Sequence, residues 1–185
     1  MILYYWIELL VLWVAWLFPF VLRAPHRQKR SSVTMAGASR VGLALESLAI
    51  LMAFNVRLPD NAPAALPRFI VSLILGPLAV VMAWTSVTHL GRQFRIQAGL
   101  YEDHALVRTG PYAIVRHPIY ASLLAMLLCT LLLLTPWYWA LVSLAMFLAG
   151  TEIRVRTEDR LLESRFGDTF REYRRRVPAY VPFVR

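Results

Sequence analysis

The sequence predicts an all-α, polytopic integral membrane protein of about five transmembrane helices, ending in a C-terminal helical hairpin. Three observations lead there. Of the 185 residues, 58% are hydrophobic and 17% charged, against roughly 45–50% and about 25% in soluble domains. Mean hydropathy is +0.53. The apolar residues also gather in runs long enough to cross about 30 Å of hydrocarbon.

The same composition excludes other classes. An aromatic content of 12% is too high for a disordered chain. The single cysteine, Cys129, leaves no disulfide framework and no cysteine zinc cluster. None of the eight glycines forms G-x-G-x-x-G, so the usual dinucleotide fingerprint is missing. The net charge of +9 is carried almost wholly by arginines interleaved with apolar runs. That pattern fits a basic membrane face better than a nucleic-acid surface.

Met1 to Leu22 is the first span, with Glu8 its only charge and Tyr4, Tyr5, Trp6, Trp13 and Trp16 as interface anchors. It lacks the leading positive region of a signal peptide and is read as retained. Arg23 to Arg40 is a basic loop. Val41 to Val56 is the second span, with Glu46 and Asn55 inside it. After a loop containing Pro59, Pro63 and Pro67, Phe69 to Leu90 forms the third span, where Gly76-Pro77 should loosen or kink the helix. Gly91 to Pro118 is polar. Ile119 to Leu134 and Trp137 to Gly150 are joined only by Thr135-Pro136, and the second arm should continue past the membrane to about Arg165. At about 24 Å the first of these runs barely crosses and the second, at about 21 Å, is shorter still, so a re-entrant or tilted hairpin is the alternative.

Eighteen of the twenty Arg and Lys residues fall in Arg23–Arg40, Arg92–Arg116 and Arg154–Arg185, leaving only Arg57 and Arg68 opposite. By the positive-inside rule the N-terminus is outside, and the 91–118 loop and the tail share the cytoplasmic face.

Two polar segments on that face carry the chemistry. One runs from His104 to Tyr120 and contains Arg116-His117-Pro118 at the mouth of the fourth span, where helix N-terminal amides favour an anion. Alone, such a pair reads as ordinary snorkelling side chains. The other is Arg154-Val-Arg156-Thr-Glu158-Asp159, in which Glu158 can pair with Arg154 one turn earlier. Alone, it reads as a solvated amphipathic helix. Glu158 and Asp159 point about 100° apart and could grip different groups of one ligand.

Together the segments resemble the isoprenylcysteine carboxyl methyltransferase family. The carriers are His104, Leu106, Val107, Gly110, Tyr112, Arg116, His117, Pro118 and Tyr120, then Glu158-Asp159, Leu162, Phe166-Gly167, Phe170, Tyr173, Val177-Pro178 and Pro182. The resemblance covers about residues 85–185; the first two spans match only in hydropathy. It departs from the family at Ser122, usually glycine, and at Asp159, one methylene shorter than the family's second glutamate.

This resemblance implies a cytoplasmic cap over S-adenosylmethionine and a lipophilic or lipid-modified substrate entering from the bilayer. Residues 1–68 would form an N-terminal helix pair and 69–185 the catalytic core. His104, Leu106, Val107, Gly110, Tyr112, His117, Pro118, Tyr120, Glu158 and Asp159 would bind the cofactor. Arg116, Arg154 and Glu158 would be catalytic, with Arg154 near the substrate carboxylate. The donor set suits the cofactor: basic groups for its carboxylate, acids for its ammonium and ribose, aromatic faces for adenine and sulfonium. A carboxylate acceptor needs no base, whereas an amine or thiol would need Glu158 or His117 to take a proton. A phospholipid amine N-methyltransferase and an NADPH-dependent sterol-type reductase are the alternatives.

Other polar residues are weighed more simply. Glu46 could pair with Arg40 or Arg92, and Glu8 is read as structural. His89 and Gln93 end the third span near the pocket, and Cys129 is packing. Arg174-Arg175-Arg176 should meet anionic membrane lipids. The histidines have no metal-ligand spacing, so no metal is expected, and the basic charge, read as a membrane face, leaves no nucleic-acid partner expected.

Overall fold

The computed structural model describes residues 2–23, 36–59, 66–91 and 105–182. His104, Arg92 and Gln93 lie outside these residues. The elements are α1 (Ile2–Leu22), α2 (Ala36–Asn55), α3 (Leu66–Leu90), a short 3-10 helix (Gly110–Ala113), α4 (Pro118–Leu134), α5 (Trp137–Phe166) and α6 (Asp168–Arg176). Four of these, α1, α2, α3 and α5, are long and apolar enough to cross a membrane. α4, at 17 residues, is shorter.

Large apolar residues cover the outside as well as fill the core. Leu3, Ile7, Leu10, Val14 and Leu17 of α1 point outward, as do Val71, Leu78 and Val81 of α3. Small and polar residues face inward. α2 buries Ser39, Gly42, Glu46, Ala49 and Ala53, and α5 buries Ser143, Phe147, Gly150, Thr151 and Arg154. The alternating three- and four-residue spacing is that of helices packed side by side, and small side chains are what let lipid-embedded backbones approach closely.

α4 is the central helix. It touches α1, α2, α3 and α5 and is buried on most sides, through Met126, Leu127, Cys129, Thr130, Leu131 and Leu133 among others. Polar side chains tie it to its neighbours: Trp13 Nε1 donates to Thr130 Oγ1 (3.1 Å), Trp16 Nε1 to Ser122 Oγ (3.0 Å) and Thr135 Oγ1 to the Ala53 carbonyl (3.0 Å). The tight Thr135-Pro136 connection is as expected, but α5 lies mainly along α2 and α4 mainly along α3. The two arms of the hairpin are therefore not each other's chief partners.

α3 runs unbroken through Gly76-Pro77. Gly76 serves close packing: a Cβ there would fall 2.4 Å from Leu12 Cδ1 of α1. α5 continues past its apolar half to Phe166, where Gly167 (φ 53°) turns the chain into α6. This extension carries the acidic pair toward the segment that enters α4.

Candidate active site

Pro118 begins α4 at a position where its missing N–H costs nothing. The two residues before it are anchored by their backbones to the C-terminal tail. The Arg116 N–H donates to the Pro178 carbonyl and the His117 N–H to the Ala179 carbonyl, both at 2.8 Å. The Arg116 guanidinium reinforces this, with Nη1 donating to the carbonyls of Val177 (2.5 Å) and Arg174 (3.1 Å) and Nη2 to Asp159 Oδ2 (2.9 Å). Beside it, Tyr173 Oη donates to the Tyr112 carbonyl (2.5 Å), while Phe170 is fully buried. α6 and the following residues thus form a cap fastened over the entrance to α4.

His117 is clamped between both members of the acidic pair. Nε2 lies 2.9 Å from Asp159 Oδ1 and Nδ1 lies 3.3 Å from Glu158 Oε2. Ionised carboxylates only accept, so the two acids favour the imidazolium, with Nε2 bonded to Asp159 and Nδ1 facing Glu158. Burial pushes its pKa down, but hydrogen bonds to Asp159 and Glu158 and their negative charges outweigh burial and hold it at about 9. Burial raises the Tyr112 phenol well above its usual range and lifts that of Tyr173 to about 12.

On the other side, the Tyr120 hydroxyl donates to Glu158 Oε1, and the Arg154 guanidinium covers the Tyr120 ring at 4.8 Å. Arg154 Nη1 meets Glu46 Oε2 of α2 at 2.6 Å, and Thr151 Oγ1 donates to Glu46 Oε1 at 2.9 Å. The partner of Glu46 is Arg154, not Arg40 at the helix start. Linked through Tyr120, Glu46 and Arg154 join Arg116, His117, Glu158 and Asp159 in one cluster of three acids and three bases. Such a cluster is tolerable when buried because its charges are matched.

The remaining sequence-predicted residues fall at the edge of this cluster. Leu106 and Val107 are half-buried on the irregular segment leading into the 3-10 helix. Gly110 adopts φ 60°, and a Cβ on it would meet His89 Nε2 at 2.3 Å. His89 of α3 is therefore packed onto the glycine turn. Its Nδ1 bonds the Thr85 carbonyl at 2.7 Å, so the ring's other nitrogen faces that turn. Among the described residues no group of three or more His, Cys, Asp or Glu could hold a metal.

Fold and site together define a multi-pass helical membrane protein whose buried ionic cluster is assembled where two helices leave the apolar layer. Residues 71–164, about half of the chain, match the isoprenylcysteine carboxyl methyltransferase family, and the chain belongs to it. It is 33% identical over 106 residues to a protein-S-isoprenylcysteine O-methyltransferase of Schizosaccharomyces pombe, covering 57% of this chain and 43% of the relative. To protein-S-isoprenylcysteine O-methyltransferase B of Arabidopsis thaliana it is 34% identical over 119 residues, covering 64% and 58%. The cobalt-zinc-cadmium resistance protein CzcN of Cupriavidus metallidurans is 34% identical over 113 residues, covering 58% and 51%. The chain thus spans about half the length of these curated relatives.

Proposed function

We propose that this chain transfers a methyl group from S-adenosylmethionine to the carboxylate of a lipophilic acceptor, a prenylated cysteine or a close chemical analogue. The observation that carries this reading is the clamp of His117 by Glu158 and Asp159. It joins the two motif segments into one site, and all three residues lie inside the family-matched stretch. The relatives named as isoprenylcysteine methyltransferases supply the acceptor class.

When bound, S-adenosylmethionine supplies an electrophilic methyl group on a sulfonium. The residues present fit such a ligand. Glu158 is the more exposed of the acidic pair, its side chain 26% accessible against 11% for Asp159, and suits an ammonium or a ribose diol. The turn at Gly110, the backbone of Leu106 and Val107, and Tyr112 would line the adenosine side, with Tyr120 and Pro118 at the mouth of α4. His104 would join them from outside the described residues. Arg116, with both terminal nitrogens engaged, holds the cap closed. Arg154, stacked on Tyr120, orients the acceptor carboxylate.

This arrangement takes His117 out of the role of base that an amine would need and leaves only Glu158 for it. Held as an imidazolium by the two acids, with a pKa of about 9, His117 has no lone pair to accept a proton at neutral pH. A carboxylate is already nucleophilic, so alignment and exclusion of water do most of the work. The distribution of eighteen of twenty basic residues supports a site at the cytoplasmic face and an N-terminus outside.

The test is to supply proteoliposomes with methyl-labelled donor and a farnesylated cysteine. Label released as methanol by mild base is the expected result. Base-stable label on lipid amines would overturn the carboxylate reading, and no label with any lipid acceptor would overturn methyl transfer.

A further inference from the structure

We propose that Glu46 is a positioning residue that fixes the Arg154 guanidinium where it meets the acceptor, an inference that rests on the methyl-transfer reading above. Glu46 lies on α2, outside the family-matched stretch. Its side chain is 1% accessible, and both its oxygens are engaged, one by Arg154 and one by Thr151.

The local sequence is built to deliver this contact. Gly42 stands one turn before Glu46, and Gly150 one turn before Arg154. A Cβ on Gly42 would fall 2.5 Å from Arg154 Cγ and 2.6 Å from the Gly150 carbonyl oxygen. A Cβ on Gly150 would fall 2.6 Å from the Gly42 carbonyl oxygen. Only a glycine pair lets the two backbones come this close, and the approach carries the Arg154 stem across the face of α2. Thr151 then orients the carboxylate that receives the guanidinium.

Packing alone does not call for an ion pair here, because apolar residues of similar volume would fill the same contact at no loss of stability. What the carboxylate adds is direction. A long arginine near the end of an apolar helix otherwise extends toward the headgroups. Held by Glu46, it instead lies over the Tyr120 ring, next to the Glu158 that Tyr120 also bonds. Arg154 is thereby fixed from α2 and α4 at once, with its cation beside the site.

The experiment uses the full chain in proteoliposomes with the farnesylated cysteine acceptor. Glu46→Gln keeps the shape and the Thr151 contact but removes the charge. It should raise the acceptor KM about tenfold, the step from an ion pair to a hydrogen bond with one charged partner. Affinity for S-adenosylhomocysteine, measured by calorimetry, should stay within about twofold. Glu46→Asp, which retains the charge, should recover part of the acceptor KM and serves if the glutamine variant does not fold. An unchanged acceptor KM in the variants would overturn the proposal. So would a loss of S-adenosylhomocysteine affinity and thermal stability in step with the acceptor KM, which would mark a packing role. A wild-type chain that neither binds S-adenosylhomocysteine nor transfers methyl would overturn the methyltransferase reading itself, and this proposal with it.

Discussion

Arg116 Nη2 and Asp159 Oδ2 meet at 2.9 Å, and the same guanidinium holds two carbonyls of the tail. One side chain thus couples the entrance of α4 to the α5 extension and to the cap. Lysine keeps the charge opposite Asp159 but lacks the planar fork needed to reach three acceptors. Arg116→Lys should therefore loosen the cap while leaving the helices intact. Each lost charge-assisted hydrogen bond is worth about 1.5–3 kcal/mol. Trypsin should cut after the exposed Arg175 at least tenfold faster in the variant, read by mass spectrometry. Unchanged cleavage would show that the cap does not depend on the guanidinium.

The imidazole held between two acids makes stability depend on pH in a definite direction. His117 has a folded-state pKa of about 9, against about 6.5 in an unfolded chain. The folded state therefore holds the proton more tightly. Its stabilisation is complete below about pH 6.5, declines as pH rises toward 9 and is gone above that. The shift corresponds to something on the order of 3 kcal/mol. The Tm of wild type in detergent should exceed that of His117→Gln most at pH 6, and the gap should narrow through pH 9. A gap that widens with rising pH would contradict an imidazolium at this position.

Helix positions were legible because lipid-facing residues make unbroken apolar runs. The α5 extension was legible as well, since nothing between Thr151 and Arg165 breaks a helix. α2 begins at Ala36 rather than near Val41, because Ala-Gly-Ala-Ser-Arg is not apolar enough to register as a span yet has no helix breaker stronger than glycine. Pairing was the harder matter. The short Thr135-Pro136 turn suggested that α4 and α5 pair with each other, whereas matching small-residue faces place α5 against α2. For the same reason the sequence offers Arg40 or Arg92 as partners for Glu46, whereas the arginine it meets, Arg154, lies 108 positions away. The R-H-P-x-Y and Glu-Asp residues stood out by their pattern. That His117 would be shared by both acids followed only from the three-dimensional approach of the two segments.

The Gly42–Gly150 crossing can be tested without touching a charge. At Gly150 an alanine Cβ would press on the Gly42 carbonyl oxygen and on the Glu46 backbone nitrogen, 3.1 Å away. Backbone on both helices cannot yield as a flexible side chain would, so α2 and α5 must separate. Overpacking of this kind costs about 1–3 kcal/mol, and here it also stretches the Glu46–Arg154 pair. Gly150→Ala should lower the Tm in detergent, whereas Gly37→Ala, where a Cβ meets nothing within 4 Å, should not. Equal behaviour of the two variants would mean that the crossing is not a close contact in the membrane.

Glu158 and Asp159 are adjacent, yet their surroundings assign them different work. Asp159 is shared by Arg116 and His117, and its side chain is 11% accessible. Asp159→Asn would leave Arg116 without its carboxylate and His117 with only the longer contact to Glu158, and breaking a buried pair from one side costs about 3–5 kcal/mol. Its main effect should be on folding: a lower Tm and faster cleavage of the cap. Glu158 is more exposed, keeps only the longer 3.3 Å contact with His117 and receives the Tyr120 hydroxyl. A ligand ammonium or diol could reach it without dismantling the Arg116–Asp159 pair. Glu158→Gln should therefore weaken S-adenosylhomocysteine binding at least tenfold with a Tm close to wild type. Calorimetry and thermal unfolding on the two variants separate the roles. If Asp159→Asn alone lost ligand affinity while Glu158→Gln alone lost stability, the assignment of the pair would have to be reversed.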